Sequence, residues 1–288
     1  MTKLVVLGAQ GMLGQALIRR LSHRDPLAAG RSEADVTDSV ALEKFIPKGA
    51  TVINASAYTK VDEAESNEAE AWAINTDAVA LIARAVKAKN GRLIHVSTDY
   101  VFDGRATMPY SEDAPGSPRS AYGRSKLGGE QAVQEILPES GIIVRTAWLY
   151  GYPGKSFPGT ILKASRDRES LDVVTDQVGQ PTWTGDVAWM VESLIGNEIS
   201  HGVFHATNSG KTSWYGFAQE VFRLAGLDPN RVRPVTSESF PRPAPRPSYS
   251  VLGHSAWDLH GLPPPRPWEE ALAEAWVSEL HHVLKADS

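Results

Sequence analysis

Cysteine is absent from the 288 residues. That excludes a disulfide framework, a thiolate nucleophile and any cysteine-ligated metal. No run of about 18 apolar residues occurs, so no membrane-spanning helix and no membrane partner are expected. The opening Met-Thr-Lys-Leu-Val-Val-Leu-Gly enters a strand-like segment directly, without the architecture of a secretory leader. A cytoplasmic localisation is the expectation. A basic excess is missing as well: 29 Lys and Arg stand against 34 Asp and Glu, a net charge of −5. That balance argues against general affinity for nucleic acid, which wants a basic face. His281 and His282 have no partnered ligand spacing, so no metal site is expected there. There is no internal repeat and no low-complexity domain.

What is present is 42% hydrophobic residues, enough for the core of one large α/β domain, or of a domain with a smaller lobe. Leu4 to Leu7 is a continuous apolar run, the pattern of a strand buried on both faces. Gly8-Ala-Gln-Gly11-Met-Leu-Gly14 follows, and then a helical pattern through Leu17, Ile18 and Leu21. A strand, a glycine turn and a helix in that order suit a dinucleotide. Gly8 permits the turn, Gly11 lets a pyrophosphate near the backbone, and Gly14 lets the helix pack on the sheet. The phosphates would sit at the helix N-terminus, where unpaired N–H groups and the dipole favour anions.

Leu27 to Gly30 reads as a second strand ending at Arg31. An acidic residue there would bind a ribose 2′-hydroxyl, whereas an arginine accommodates a 2′-phosphate, so NADPH is favoured, with NADH as the alternative. A solvated loop charge is the other reading of Arg31. Asp35 and Val36 could lie beside the adenine, and Thr37 or Asp38 could cap the short helix that runs to Phe45. Thr51 to Ala55 is a third strand, leading to Ser56, Ala57 and Tyr58. A long helix is expected over about 63–89, with Trp72, Ile74, Val79, Ile82 and Val86 at helical spacing. Asn75 within it is either a satisfied polar group or a brace for a site.

Arg92 to Val96 is a fourth strand, continued by Ser97-Thr98-Asp99-Tyr100-Val101-Phe102 past its C-terminal end. Ligands bind at that edge in doubly wound sheets. Tyr122 and Lys126 are four residues apart and share one helix face. A free tyrosine has a pKa of about 10 and exchanges protons poorly near neutrality. A cation one turn away is expected to lower it, giving a group that can protonate a carbonyl oxygen. Gly141 to Thr146 is a fifth strand. Five strands alternating with helices indicate an α/β fold, a Rossmann-type doubly wound parallel sheet.

After Gly151 the pattern loosens. Helices are expected after a loop within 156–166, over 186–195, 214–225 and 268–284, and strands over 171–175 and 203–206. Residues 241–248 alternate prolines with arginines and read as a stiff extended segment. It is either a surface linker or an arm holding Arg246 near an anionic substrate. The expected organisation is a dinucleotide-binding domain over 1–150, to which about 178–206 returns, and a smaller C-terminal substrate-binding lobe over 151–177 and 207–288.

With the glycine turn, S-T-D-Y-V-F and Y-x-x-x-K in this order, the chain resembles the extended short-chain dehydrogenase/reductases. Within them it is similar to the dTDP-4-dehydrorhamnose reductase family. The resemblance covers nearly the whole chain, including residues 54–62, 145–150, Asp176-Gln-Val-Gly-Gln-Pro-Thr182, 212–214 and 246–252. It implies that Thr98, Tyr122 and Lys126 form the catalytic set, with Lys126 keeping Tyr122 acidic. It places Thr98, Asp99, Trp148 and Arg246 beside a nucleotide-sugar. It implies cofactor contacts from Gly8, Gly11, Met12 and Leu13, from Asp35 and Val36, and from Ala55, Ser56, Ala57 and Tyr58, as well as from Tyr122 and Lys126. The implied reaction is NADPH-dependent reduction of the C4 ketone of dTDP-4-dehydro-L-rhamnose to dTDP-L-rhamnose. Some relatives carry a glutamate after the third glycine that joins a magnesium site at a dimer interface. Here Gln15 and Ala16 occupy that region, so no metal is implied, and the chain is expected to be a monomer or homodimer. Alternatives on the same scaffold are another nucleotide-sugar ketoreductase or an epimerase. A different class is a non-catalytic regulatory subunit like that of methionine adenosyltransferase.

Overall fold

The computed structural model describes residues 2–281. The chain begins with β1 (Leu4–Leu7), α1 (Met12–Arg20), β2 (Leu27–Ala29), α2 (Ser39–Phe45) and β3 (Thr51–Asn54). Asp38 caps α2 by accepting from the backbone N–H groups of Val40 and Ala41. The helix expected over 63–89 is broken. It comprises α3 (Val61–Ala64), α4 (Glu68–Trp72), a π-helical turn (Ala73–Asp77) and α5 (Ala78–Ala88). The first break falls at Asn67, whose φ of −125° and ψ of 44° are not helical. The π turn falls where Asn75 and Thr76 bond to other segments, and Trp72 is 40% exposed rather than in the core.

Then follow β4 (Arg92–Thr98), α6 (Ala121–Ile136), β5 (Gly141–Thr146), β6 (Leu149–Tyr150), α7 (Phe157–Asp167), β7 (Leu171–Val174), β8 (Val178–Gly179), β9 (Thr182–Trp183), α8 (Thr184–Gly196), β10 (Gly202–His205), β11 (Thr212–Ser213), α9 (Trp214–Leu224), β12 (Val232–Val235), α10 (Ser255–Leu259) and α11 (Trp268–Ser278). The C-terminal helix expected through Leu284 thus ends at Ser278, where Glu279 turns away, and residues beyond 281, His282 among them, lie outside the described residues.

Six strands form one parallel sheet in the order β10-β5-β4-β3-β1-β2. The fold is α/β, a doubly wound Rossmann-type sheet. The hydrophobic runs of β1 and β3 are buried throughout, as a sheet covered on both faces requires. One apolar layer packs Leu13, Leu17, Val187 and Val191 of α1 and α8 on the sheet, and the opposite layer packs Val79, Ile82 and Val86 of α5. A third core, aromatic-rich, lies in the C-terminal half and joins Tyr150, Phe217, Phe222 and Trp268.

A buried ion pair ties the C-terminal edge of the sheet to α6. Arg145 on β5 donates to Glu130 at 2.7 Å, and Glu130 also accepts from Ser97 on β4. Removing one partner strands the other charge. Glu130→Ala should therefore cost about 3–5 kcal/mol in urea unfolding. Arg223→Ala, which breaks the exposed pair with Glu220, should cost less than about 1 kcal/mol.

Candidate active site

The C-terminal ends of β3 and β4 and the first turn of α6 meet in one place. Ser120 caps α6 by accepting from the Gly123 N–H at 3.0 Å, which fixes the turn that carries Tyr122. Tyr122 is buried in a cluster with Tyr58, Ala64 and Ala121, and makes edge contact with the Tyr100 ring at 5.5 Å. Burial pushes its hydroxyl up to about 12; a hydrogen bond with Thr98 works against that, and the nearby Asp99 adds to it. Thr98 Oγ1 donates to Asp99 Oδ1 at 2.9 Å. Burial lifts the Asp99 carboxyl to about 6, against the pull of the Ser250 and Thr98 hydroxyls. Thr98, Asp99 and Tyr122 are thus brought together.

Lys126 is on the same helix face but does not act on Tyr122 as expected. Its Nζ donates to the Val96 carbonyl at 2.6 Å and lies 3.4 Å from His95 Nε2. Burial pushes it down to about 8, with Glu130 one turn on working the other way. The expected lowering of the Tyr122 pKa is not found, because desolvation dominates at Tyr122 and the ammonium nitrogen is drawn toward the sheet. Asn75 is a brace. It accepts from the Tyr58 N–H at 2.9 Å and donates to the Tyr58 carbonyl and to Ser125 Oγ, so it locks the loop after β3 to α6.

The glycine turn fits a dinucleotide. Gly8 has φ +75°, and a Cβ there would lie 2.6 Å from the Ser56 nitrogen; one at Gly14 would lie 2.1 Å from the Gly8 carbonyl. Gly11 begins α1 with no side-chain cap and no acidic residue follows in the first turn, which leaves the N–H groups of Met12, Leu13 and Gly14 for an anion. Ala55 donates to the Leu7 carbonyl, and Ser56 is held by Asn54 Oδ1, so the loop 55–58 lies against the turn, with Ala57 half-buried in it. Arg31 is 87% exposed and pairs with Asp35 at 3.1 Å; Val36 packs on the core. Hydrogen bonds from Thr37 hold the Asp35 carboxyl below its ordinary range. Gln15 donates to the Gln10 carbonyl and Ala16 is buried. Among the described residues, no group of three or more His, Asp or Glu is placed to hold a metal.

A cleft of about 860 Å³ opens beside Tyr100, lined among others by Trp148, Trp214, Arg168, Arg233 and Arg246. Trp148 has φ 45°, an uncommon conformation for a bulky residue, and stacks on Trp214 at 3.6 Å. Arg246 lies within the proline-rich segment and reaches Asp62 at 2.8 Å. Burial would raise the Asp62 carboxyl, but the hydrogen bond from Arg246 leaves it below the ordinary range. Arg168 and Arg233 lie in this cleft without any motif to mark them, and Arg242 joins them from the proline-rich segment. Arg233 is brought there by the parallel pairing of β7 with β12, a contact between residues about sixty apart in sequence, and Arg168 by the end of α7 just before β7.

The chain matches the RmlD substrate binding domain family over residues 1–280. It is 48% identical to a probable dTDP-4,6-dihydroxy-2-methyloxan-3-one 4-ketoreductase of Streptomyces antibioticus, over 96% of this chain and 95% of the relative. It is 45% identical to a dTDP-4-dehydrorhamnose reductase of Streptomyces griseus, over 94% and 92% of the two chains. Its fold superimposes with a TM-score of 0.91 on a dTDP-4-dehydrorhamnose reductase from Bacillus anthracis solved in complex with NADP, 34% identical over 96% of this chain and 99% of that one. The glycine turn, the Thr98–Asp99–Tyr122 cluster and the arginine-lined cleft thus occur in a chain that belongs to the RmlD substrate binding domain family.

Proposed function

We propose that the protein is an NADPH-dependent oxidoreductase that reduces the C4 ketone of a dTDP-4-dehydro-6-deoxyhexose, with dTDP-4-dehydro-L-rhamnose as the substrate and dTDP-L-rhamnose as the product. The observation that carries this reading is the Tyr122 hydroxyl, kept in its protonated form by burial and set close to Thr98, together with a dinucleotide cradle and an arginine-lined cleft beside the Tyr100 ring that packs on it. The likeness to a reductase solved with NADP supports the cofactor. When bound, the nicotinamide supplies the hydride.

The chain's own residues do the rest. Met12, Leu13 and Gly14 offer N–H groups to the pyrophosphate, and Arg31 and Asp35 flank the adenosine end. Tyr122 carries its proton at neutrality and gives it to the C4 oxygen as negative charge develops there, which is when that oxygen becomes basic enough to take it. Thr98 bonds to the same oxygen. Lys126 offsets the phenolate left behind. The indoles of Trp148 and Trp214 and the guanidinium of Arg246 position the sugar nucleotide, with Asp99 beneath it. The sheet with 178–206 forms the dinucleotide domain, and the remaining C-terminal segments form the substrate lobe. We assign the enzyme to the cytoplasm, as a monomer or homodimer. A second reading keeps the chemistry and changes the hexose, as the name of the Streptomyces antibioticus relative suggests.

Consumption of NADPH with the keto sugar made in situ by a dehydratase, with and without an epimerase, tests the substrate. A requirement for the epimerase supports the rhamnose assignment; turnover without it moves the assignment to another hexose. Binding of NADPH without any turnover would point to the regulatory role. Tyr122→Phe should lower kcat by about 10²–10⁴ while leaving NADPH binding, read by fluorescence, intact. Arg31→Ala should lower kcat/KM for NADPH by about tenfold or more and leave NADH unchanged; equal effects would make Arg31 a bystander.

A further inference from the structure

One carboxylate holds the proline-rich wall of the cleft to the half of the molecule that carries Tyr122. Pro241, Pro243, Pro245 and Pro247 stiffen that wall and remove every second N–H group from it, so it cannot pair as a strand. Among the described residues, the hydrogen bonds that tie 241–246 to another segment both end on Asp62. The Ala244 N–H donates to Oδ1 at 3.3 Å, and Arg246 Nη2 donates to Oδ2 at 2.8 Å. Arg242 approaches the same Oδ2 at 4.0 Å. From Ser248 onward the chain is held elsewhere, since Ser248 and Tyr249 both donate to the Gly104 carbonyl.

Asp62 itself is fixed to the catalytic end. It lies in the first turn of α3, where its neighbours Val61 and Ala64 pack in the cluster of Tyr58, Ala121 and Tyr122. The loop before it is locked to α6 through Asn75. The contact therefore sets how far Arg246 stands from Tyr122. It also sets a direction. A guanidinium is a planar fork of N–H donors. Nη1 is used on the Ala244 carbonyl at 3.1 Å and Nη2 on Asp62, which pins the plane and leaves the remaining donors for an anion in the cleft that Arg246 lines with Arg168 and Arg233. Stability does not explain the contact. The side chains of Asp62 and Arg246 are 30% and 23% exposed, a setting in which an ion pair contributes little. As a bare charge, a carboxylate at the rim of a diphosphate site repels the ligand. What it does supply is geometry.

We propose that Asp62 is a positioning residue for the sugar nucleotide: it acts through Arg246, aiming the guanidinium at the diphosphate and registering the proline-rich wall against Tyr122. This role rests on the dTDP-sugar reading above. It gives a purpose to the acidic end of residues 54–62, which belongs neither to the loop 55–58 nor to the cluster of Thr98, Asp99 and Tyr122.

The test is the binding of dTDP to the full chain in the presence of NADPH, read by calorimetry. Asp62→Asn keeps an oxygen for the Ala244 N–H and removes the charge that holds Arg246. A positioning role predicts dTDP affinity about tenfold weaker, the loss of one charge-assisted hydrogen bond. A carboxylate acting only through its charge predicts the reverse, tighter binding of the anion once the charge is gone. The sign decides, and unchanged or tighter binding overturns the proposal. In the Arg246→Gln background, itself weaker for dTDP, the same substitution should no longer weaken binding. A loss that persists there means that Asp62 acts by another route, and overturns the proposal as well. NADPH affinity and the urea midpoint of Asp62→Asn should stay near those of the wild type, because both partners are partly solvated and no buried charge is stranded. A fall of all three together would be loss of structure and would also overturn the proposal. A wild type that does not bind dTDP ends the substrate reading and this role with it, whereas wild-type binding that Asp62→Asn leaves untouched ends this role alone.

Discussion

The active-site end of the sheet depends on the buried pair of Arg145 and Glu130. Three adjacent elements are fixed by it: β5 carries the arginine, α6 the glutamate, and β4 adds Ser97. Arg145 also donates to the Glu112 carbonyl and lies over the Phe102 ring, so the loop between β4 and α6 is held by the same guanidinium. Burying two charges is repaid only when the remaining donors and acceptors are also used. Here they are. The arrangement sets the height of α6 against β4, and therefore whether Tyr122 can reach Thr98.

With Glu130 committed to Arg145, Lys126 is left one turn away with weaker compensation than a lone carboxylate would give. It turns to the Val96 carbonyl instead. The two tyrosines at the site respond to the same dry surroundings. Burial raises both Tyr122 and Tyr100, so each keeps its hydroxyl proton across the neutral range. Both are therefore present as hydroxyls that can donate, and the raised pKa makes each a weaker acid than free tyrosine.

Local pattern carried most of what was legible in the chain. The run Leu4–Leu7, the glycine turn after it and the spacing of Tyr122 and Lys126 are each decided within a few residues, and the parallel sheet follows from the alternation of strands with helices. The failures came where distant segments decide. The π turn at Ala73–Asp77 arises because Asn75 and Thr76 bond to Tyr58 and Ser125, which no periodicity reveals. Lys126 sits four residues from Tyr122, but spacing says nothing of the carbonyl and imidazole on β4 that draw its nitrogen away. Arg233 joins Arg168 in the cleft through the pairing of β7 with β12. His95 lies buried in β4, and its partners Asn54 and Lys126 come from segments far from it in sequence.

The contact between Asp62 and Arg246 spans 184 residues of chain. Closing a loop of that size carries a large entropic cost, although each doubling adds only about 0.6 kcal/mol. The contact itself is partly solvated, and the segment around it has no strand or helix of its own. During folding such a wall assembles late, after the sheet has brought its two ends near each other. In the native protein it is also among the parts that open at the lowest free energy, without disturbing the layers beneath. Native-state hydrogen exchange would then sort the molecule into two tempos: a slow sheet that keeps Tyr122 in place, and a fast-breathing rim that admits and releases whatever the cleft holds.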